Sequence, residues 1–268
     1  MKTKKRPVNG TGNEPSAGSL TKALAIIEAA VQQPQPPTTA ELGALLGLAK
    51  PTAHRLTSTL RELGFLQREP AGGRIIAGDR LIALSLNVIT SAARLGPSHN
   101  ILDALAEETG ETCNLGIMAA GQVVYVDRCE TKWPLGLRFE AGSRVPIHCT
   151  ALGKMFLSNM SAGQRRKYLA TLPLTRYTEY TYTDPVKLEE ELVKIRDEGV
   201  SFDNCEFMSG VVCMAVPIQG PKGNIVAGVA VSAPEARLTL EDLREYLPAL
   251  KVAASKFNLI FADDSPAT

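Results

Sequence analysis

Residues 50–66 read KPTAHRLTSTLRELGFL and place side chains that can contact nucleic acid along one predicted helix. The apolar residues of this segment recur at helical spacing, which indicates that one face packs on a domain core. They are Ala53, Leu56, Leu60 and Leu63. The outer face carries cations and hydroxyls, which donate hydrogen bonds to phosphates and base edges. The candidate DNA-contacting residues are Lys50, Thr52, His54, Arg55 and Ser58.

The same outer face would suit an ordinary solvated helix, so the neighbouring elements must decide between the two interpretations. Upstream, residues 20–31 predict a helix with Ser19 as its cap. Its apolar positions are Leu20, Ala23, Leu24, Ile27 and Val31. Residues 38–48 predict a second, short helix, because Thr38 and Glu41 have the spacing of a capping box. Its apolar side comprises Leu42, Leu45 and Leu46.

A hairpin after the basic helix completes a winged helix-turn-helix pattern. Pro51 suits the first turn of that helix, and Gly64 suits its end. Residues 65–78, FLQREPAGGRIIAG, are typical of a strand, a glycine-containing turn and a second strand. Two short helices, a tight turn at Gly47, a basic third helix and such a hairpin, in this order, favour DNA binding.

The charge distribution agrees with a DNA-binding N-terminal part. The formal net charge of the chain is +1, but residues 1–80 contain 11 Lys and Arg against 6 Asp and Glu. Residues 81–268 contain 18 against 22. A basic segment on an otherwise slightly acidic chain is typical of a protein that meets phosphates through that segment. Residues 1–18, polar and rich in Gly, Pro and Lys, are expected to form a disordered basic arm.

Composition favours a cytosolic protein of two domains. At 268 residues and 44% hydrophobic composition, two domains of ordinary size fit. No apolar run approaches the roughly 20 residues of a membrane span, and the first residues lack the apolar region of a signal peptide. The five cysteines lack CxxC spacing and are expected to be reduced thiols. A zinc site at His148 and Cys149, or a Cys/His nucleophile pair, is conceivable, but no spacing supports either; we expect no metal and no cofactor.

Residues 79–95 predict a long helix directly after the hairpin. Its apolar positions recur every three or four residues and form a seam: Leu81, Leu84, Val88, Ala92 and Leu95. The seam either packs on the second domain or joins two copies of the chain, and we expect both in part. A dimerisation helix here would hold two DNA-binding heads at a fixed separation.

The rest of the chain alternates predicted strands and helices in the manner of an antiparallel α+β fold. Strands are predicted at 112–120, 122–130, 134–139, 211–219 and 224–233, the last two joined by a hairpin turn. No GxGxxG, GxxxxGKS, HExxH or GxSxG pattern occurs in a matching context. Three functions remain: a ligand-responsive transcription factor, which the sequence favours; an enzyme that uses Cys113 or Cys149; and a DNA-binding protein with an inert second domain.

From Ser19 to Phe261 the sequence resembles the IclR family of bacterial transcriptional regulators. The stretch TTAELGALLGLAKPTAHRLTSTLRELGFLQRE looks like the family's winged helix-turn-helix. More specific are GSRVPIHCTALGKMFLS, RYTEYTYTDP, EGVSFDNCEFMSGVVCMAVPI and VAGVAVSAPEARLT, which are similar to its signature segments in order and spacing. The resemblance implies a winged helix-turn-helix at 19–78, a linker and dimerisation helix at 79–96, and a GAF-like effector-binding domain at 97–262.

The resemblance further implies a bacterial cytoplasmic regulator that binds a double-stranded DNA operator as a homodimer, or as a dimer of dimers. Its effector would be a small organic acid. By position, the effector pocket would be walled by Leu137, Val145, Ala151, Leu152, Asp203, Val211, Cys213, Ala230 and Ser232.

Two of these positions have a physical rationale of their own. A helix that opens at Thr150 offers free N–H groups to a carboxylate or sulfonate. An ionised Asp203 would repel that anion, and would therefore accept a hydrogen bond from a hydroxyl or amine at the other end of the ligand. A turn residue bonded to its own backbone is the alternative for Asp203.

The sequence also departs from the family pattern at the pocket. Cys205 stands where the family usually has a carboxylate, so one fewer negative charge is expected beside Asp203. Ala230 stands where some acid-sensing members have a hydroxyl. These differences leave the ligand class open among aliphatic hydroxy acids, sulfonates, sugar acids and aromatic acids.

Overall fold

A computed structural model describes residues 18–69, 72–119, 121–130 and 139–263. The chain divides between Ser85 and Leu86 into two compact units. The basic arm expected before Gly18 lies outside the described residues, as does most of the strand predicted at 134–139.

The first unit consists of three helices and a hairpin. Its elements are α1 (Ser19–Gln32), α2 (Thr39–Leu45), α3 (Lys50–Glu62), β1 (Leu66–Arg68) and β2 (Ile75–Ala77). The two strands pair antiparallel, with Gln67 opposite Ile76. This arrangement is the winged helix-turn-helix that the sequence predicts.

Local caps and a small core hold this unit together. Thr38 Oγ1 accepts a hydrogen bond from the N–H of Glu41, and the Glu41 carboxylate accepts one from the N–H of Thr38, so the predicted capping box starts α2. After α3, Gly64 has a φ of 78°, the left-handed conformation that glycine adopts without strain. The core comprises Ile26, Ala29, Ala30, Leu42, Leu56, Leu60, Leu66 and Ile75.

Several side-chain assignments in this unit were wrong. Ser19 is the first residue of α1 rather than its cap, since Gly18 precedes the helix without a side-chain cap bond. Five predicted core residues are exposed: Leu20, Leu24, Val31, Leu45 and Leu63. Periodicity identifies apolar stripes on a helix, but the packing of the three helices decides which stripe meets the core.

The second unit contains the remaining helices and strands. They are α4 (Asp79–Leu95, which begins in the first unit), α5 (Pro97–Thr109), β3 (Thr112–Ala119), β4 (Gln122–Cys129), β5 (Arg144–Val145), α6 (Ala151–Ser158), α7 (Ala162–Leu169), α8 (Pro185–Glu198), β6 (Ser201–Asn204), β7 (Val211–Gln219), β8 (Ile225–Pro234), α9 (Leu240–Arg244) and α10 (Leu247–Asp263). Among the described residues, no helix combines the length and apolar character that crossing a bilayer requires.

One antiparallel sheet organises this unit. The described strands follow the order β5-β4-β3-β8-β7-β6. Residues alternate between two cores along the central strands, so that Met214 and Val216 pack with α5 and α10, whereas Ala215 packs with α6 and α8. The predicted antiparallel α+β fold is confirmed, and the α6 side of the sheet carries the candidate site.

Helix α4 exposes the seam that the sequence predicts. Leu84, Val88 and Leu95 are 50%, 60% and 88% exposed. Apolar side chains in a row on one helix face are a common feature of helices that pair with another copy. Self-association through α4 therefore stays a prediction with a defined surface.

We expect the double substitution Leu84→Glu and Val88→Glu to weaken self-association, because an apolar contact cannot bury two unpaired carboxylates without a large cost. Sedimentation velocity over a range of protein concentrations measures the effect. Val193→Glu, at an exposed valine of α8, is the matched control and should sediment like the wild type. If the double variant associates as strongly as the wild type, the seam is not the interface.

Candidate functional site

Helix α3 presents the predicted DNA-contacting side chains at the surface of the first unit. Lys50, His54 and Arg55 are exposed, and Thr52 and Ser58 are half-buried. Arg55 Nη2 donates to Ser19 Oγ at 3.4 Å, a long contact that leaves other N–H groups of the guanidinium for an incoming acceptor. The five side chains thus lie on the open side of α3, and their contact with DNA stays a prediction.

The second unit has a narrow cavity between its sheet and the start of α6. Water-sized molecules can reach about 30 Å³ of it, room for roughly two waters. The described residues that line it are Tyr125, Arg128, Phe139, Thr150, Ala151, Leu152, Asp203, Phe207, Met208, Val211, Cys213, Ala230 and Ser232.

Most of the predicted pocket residues meet at this cavity. Those that line it are Ala151, Leu152, Asp203, Val211, Cys213, Ala230 and Ser232. Val145 does not, because it pairs with Val123 at the edge of the sheet and is buried in the core there. Leu137 lies outside the described residues.

The N-terminus of α6 opens on the cavity. Thr150 caps the helix by accepting a hydrogen bond from the N–H of Gly153 at 3.1 Å. The N–H groups of Ala151 and Leu152 precede the first internal helical bond and lack a backbone partner among the residues that the structure describes. A Cβ at Gly153 would collide with the backbone of Ile147, so this close packing requires glycine. The two free N–H groups and the helix dipole favour a bound anion.

Asp203, on β6, carries a proton at neutral pH. Burial, and then the negative charge of Glu206, raise the pKa of its carboxyl to about 8. Asp203 Oδ1 accepts a hydrogen bond from the N–H of Glu206 at 2.8 Å, where Cys205 turns the chain with a φ of 56°. A protonated Asp203 does not repel an anionic ligand, unlike the ionised Asp203 considered from the sequence. Its carboxyl can both donate and accept a hydrogen bond.

A buried ion pair lies next to Asp203. Glu206 Oε1 accepts a hydrogen bond from Lys154 Nζ at 2.5 Å, and the Lys154 side chain is 1% exposed. Lys154 Nζ also lies 3.6 Å from Glu191 Oε1. Glu206, the residue after Cys205, thus places a buried carboxylate beside Asp203.

A β-bulge in β4 places the side chain of Arg128 in the wall of the cavity. The register between β3 and β4 shifts so that Val126 is an extra residue between the paired positions Tyr125 and Asp127. Tyr125 and Arg128 therefore line the same cavity although they are three residues apart. Strict alternation places them on opposite sides of the strand, which is why sequence reasoning missed Arg128.

Aromatic side chains close the cavity beside Arg128. The ring of Phe139 lies 5.9 Å from that of Tyr125, edge to face, and 6.1 Å from that of Phe207. Burial raises the pKa of the Tyr125 phenol, which therefore keeps its proton. These three rings come from separate parts of the chain and share no motif, so the sequence does not single them out.

The cysteines are poor candidates for catalysis. All five are free thiols. Burial raises the pKa of Cys113 and of Cys129 to about 12, and it also raises the pKa of Cys149. A protonated thiol is a weak nucleophile. His148 Nε2 bonds the carbonyl of Thr175 at 2.9 Å, and among the described residues no three His, Cys, Asp or Glu side chains cluster as metal ligands would.

A winged helix-turn-helix followed by a domain with a narrow cavity, mostly apolar with a few polar side chains, defines a class of protein, the ligand-responsive transcription regulators. Family comparison agrees with this class. The family description "IclR helix-turn-helix domain" matches residues 19–70, and "Bacterial transcriptional regulator IclR C-terminal" matches residues 86–259. The chain belongs to the IclR family of bacterial transcriptional regulators.

Individual relatives agree as well. The probable transcriptional regulator SauR of Cupriavidus necator is 33% identical over 248 residues, which cover 92% of this chain and 98% of that protein. The crystal structure of Thermotoga maritima IclR matches with a TM-score of 0.60 and 29% identity, covering 91% of this chain and 98% of that one.

A further solved structure is that of an effector domain with a bound acid. It is the inducer-binding domain of a double mutant of the Acinetobacter PobR transcription factor, in complex with 3-hydroxy benzoic acid. It matches with a TM-score of 0.56 and 26% identity, covering 60% of this chain and 96% of that one. The families and relatives are transcription regulators, so the alternative of a cysteine-dependent enzyme is not supported.

The buried carboxyl of Asp203 leads to a prediction about pH. Its pKa of about 8 in the folded protein lies above the ordinary value of 3.8, so the folded state holds a proton that the unfolded state releases. The stability linked to this proton is fully present below the unfolded pKa and is lost as pH rises toward the folded one. Asp203→Asn has no such proton. Its unfolding free energy relative to that of the wild type should therefore rise as the pH increases from about 4 to 8.

Urea denaturation at intervals from pH 4.5 to 8.5 measures this difference in unfolding free energy. Asp197→Asn, at an exposed position of α8, is the control and should show no comparable trend. A difference between Asp203→Asn and wild type that stays constant over this range would show that Asp203 titrates at an ordinary pKa.

Proposed function

We propose that this regulator binds a double-stranded DNA operator through the exposed face of α3, and that a small organic acid in the cavity of the second unit changes its affinity for that operator. The observation that carries the proposal is the composition of the cavity wall. Free N–H groups at the start of α6 meet the protonated Asp203 in one narrow space. An anion that also carries a hydroxyl or amine would satisfy both.

The chemistry of the wall supports an acid of modest size. The helix dipole favours an anion by typically 0.3–1 kcal/mol, and direct charge-assisted hydrogen bonds add to that. Val211 and Ala230 line the cavity with apolar surface, which suits a short carbon skeleton or a ring. 3-Hydroxy benzoic acid, bound to the PobR domain, combines a carboxylate with a hydroxyl, the two features that this wall would recognise.

We further propose that the regulator acts as a homodimer in the bacterial cytoplasm, with the exposed seam of α4 between the copies. Two identical heads would each place an α3 helix in the major groove, on half-sites about one helical turn apart or a multiple of it. Pairs of these dimers would give the dimer of dimers that the family resemblance implies.

Arg55→Ala should weaken operator binding by about 1–3 kcal/mol if the guanidinium reads a base. Fluorescence anisotropy with a DNA fragment selected by the wild-type protein measures the affinity. Lys194→Ala, which removes an exposed cation from α8, should bind like the wild type. An equal loss on random DNA would make Arg55 a phosphate contact, and an unchanged affinity would exclude it from the interface.

Asp203→Ala should abolish the response to the effector and leave operator binding intact, because the two sites lie on different units. A thermal-shift screen of small organic acids on the full chain identifies the ligand, since a ligand at about 100 times its Kd stabilises by about 2.7 kcal/mol. Calorimetric titration then compares wild type, Asp203→Ala and the exposed control Asp197→Ala. If Asp203→Ala binds the effector with unchanged affinity, Asp203 does not contact the effector and serves only to form the turn after β6.

A further inference from the structure

Arg128 has one buried nitrogen, Nη2, without a hydrogen-bond partner among the residues that the structure describes. The whole side chain is 6% exposed. Nε donates to Glu130 Oε1 at 3.0 Å, and Nη1 donates to Asn114 Oδ1 at 2.9 Å. The two N–H groups of Nη2 are therefore the open donors of a guanidinium that lines the cavity.

These contacts hold the guanidinium in place before any ligand arrives. Asn114 lies directly opposite Arg128 in the register of β3 and β4. Its Nδ2 donates to Ser232 Oγ at 3.2 Å, and Ser232 lines the same cavity. A side chain fixed by such a network loses little conformational freedom when it binds a ligand.

The positive charge of Arg128 is only partly compensated. Its carboxylate partner, Glu130, is 45% exposed, so solvent weakens that attraction. Lys154, by contrast, is paired with the buried Glu206. A buried charged group with an unmade hydrogen bond costs free energy, and an oxyanion in the cavity would supply the missing acceptor.

We propose that Arg128 Nη2 donates hydrogen bonds to the acidic group of the effector. This contact makes the protein select carboxylates and sulfonates and reject neutral molecules of the same shape. The inference rests on the proposed function, because it requires a small organic acid in this cavity. Arg128 lines the same cavity as Ala151 and Leu152 at the start of α6, so its Nη2 and their N–H groups would share one oxyanion. Arginine stays charged at every physiological pH. Arg128 therefore favours the ionised form of an acid over a neutral molecule across that range.

Thermal shift and calorimetric titration of the full chain test this assignment with named probes. The acids are acetate, glycolate, 2-hydroxyethanesulfonate, benzoate and 3-hydroxybenzoate, each compared with its neutral amide or sulfonamide. We expect an acid of this panel to raise the Tm of the wild type and its neutral counterpart to have no effect. In Arg128→Gln the Kd of that acid should rise on the order of 10- to 100-fold. Arg128→Lys keeps the charge without the planar fork and should fall in between.

Two further variants make the result specific. Arg144→Gln makes the same change at an exposed residue of β5 and should bind like the wild type. Asn114→Asp sets a near-isosteric carboxylate against Nη1, which would cancel the charge and weaken acid binding even if Arg128→Gln does not fold. Equal acid affinity in wild type, Arg128→Gln and Asn114→Asp would overturn the inference and leave the proposed function intact. If no acid of the panel binds the wild type, or the neutral counterparts bind equally well, the proposed function fails together with the inference.

Discussion

The ion pair between Lys154 and Glu206 joins the helix and the turn that form the cavity, and the geometry of the site depends on it. Lys154 lies on α6, Glu206 follows β6, and their charged atoms are 2.5 Å apart in the interior. Removal of one partner of a buried pair leaves an uncompensated charge, typically at a cost of about 3–5 kcal/mol. The pair holds the turn against α6 and thereby keeps the N–H of Glu206 on the Asp203 carboxyl.

Helix α6 packs closely on the sheet beside the cavity. Gly116 and Gly228 lie on the sheet under α6, and a Cβ at either position would come within 2.8 Å or less of Leu152. Protein interiors are close-packed, and they accommodate an inserted group by shifting between discrete arrangements. A ligand larger than the cavity must therefore displace the residues that line it. Such a displacement affects DNA binding only if the ligand prefers one of two states that differ in operator affinity. Helix α4 runs without a break from one unit into the other.

Local signals were sufficient for most of the fold. The capping box at Thr38 starts α2 as predicted, and Gly64 follows α3 with a positive φ, as expected for the end of that helix. These signals are readable because each involves residues only a few positions apart. Burial was less predictable. Leu20 has the right spacing for a core residue but is 73% exposed. Spacing identifies the apolar face of a helix, whereas the packing of the neighbouring helices decides which residues of that face are buried.

The sequence by itself determined the class of protein and its winged helix-turn-helix and, through the family resemblance, seven of the described residues that line the cavity. Only the tertiary structure decided that Val145 belongs to the core, that Arg128 faces the cavity and that Asp203 keeps its proton. The physical reason is that caps and periodicity act between neighbours along the chain. A register shift between two strands, and the burial that raises a pKa, arise only when segments far apart in sequence lie side by side.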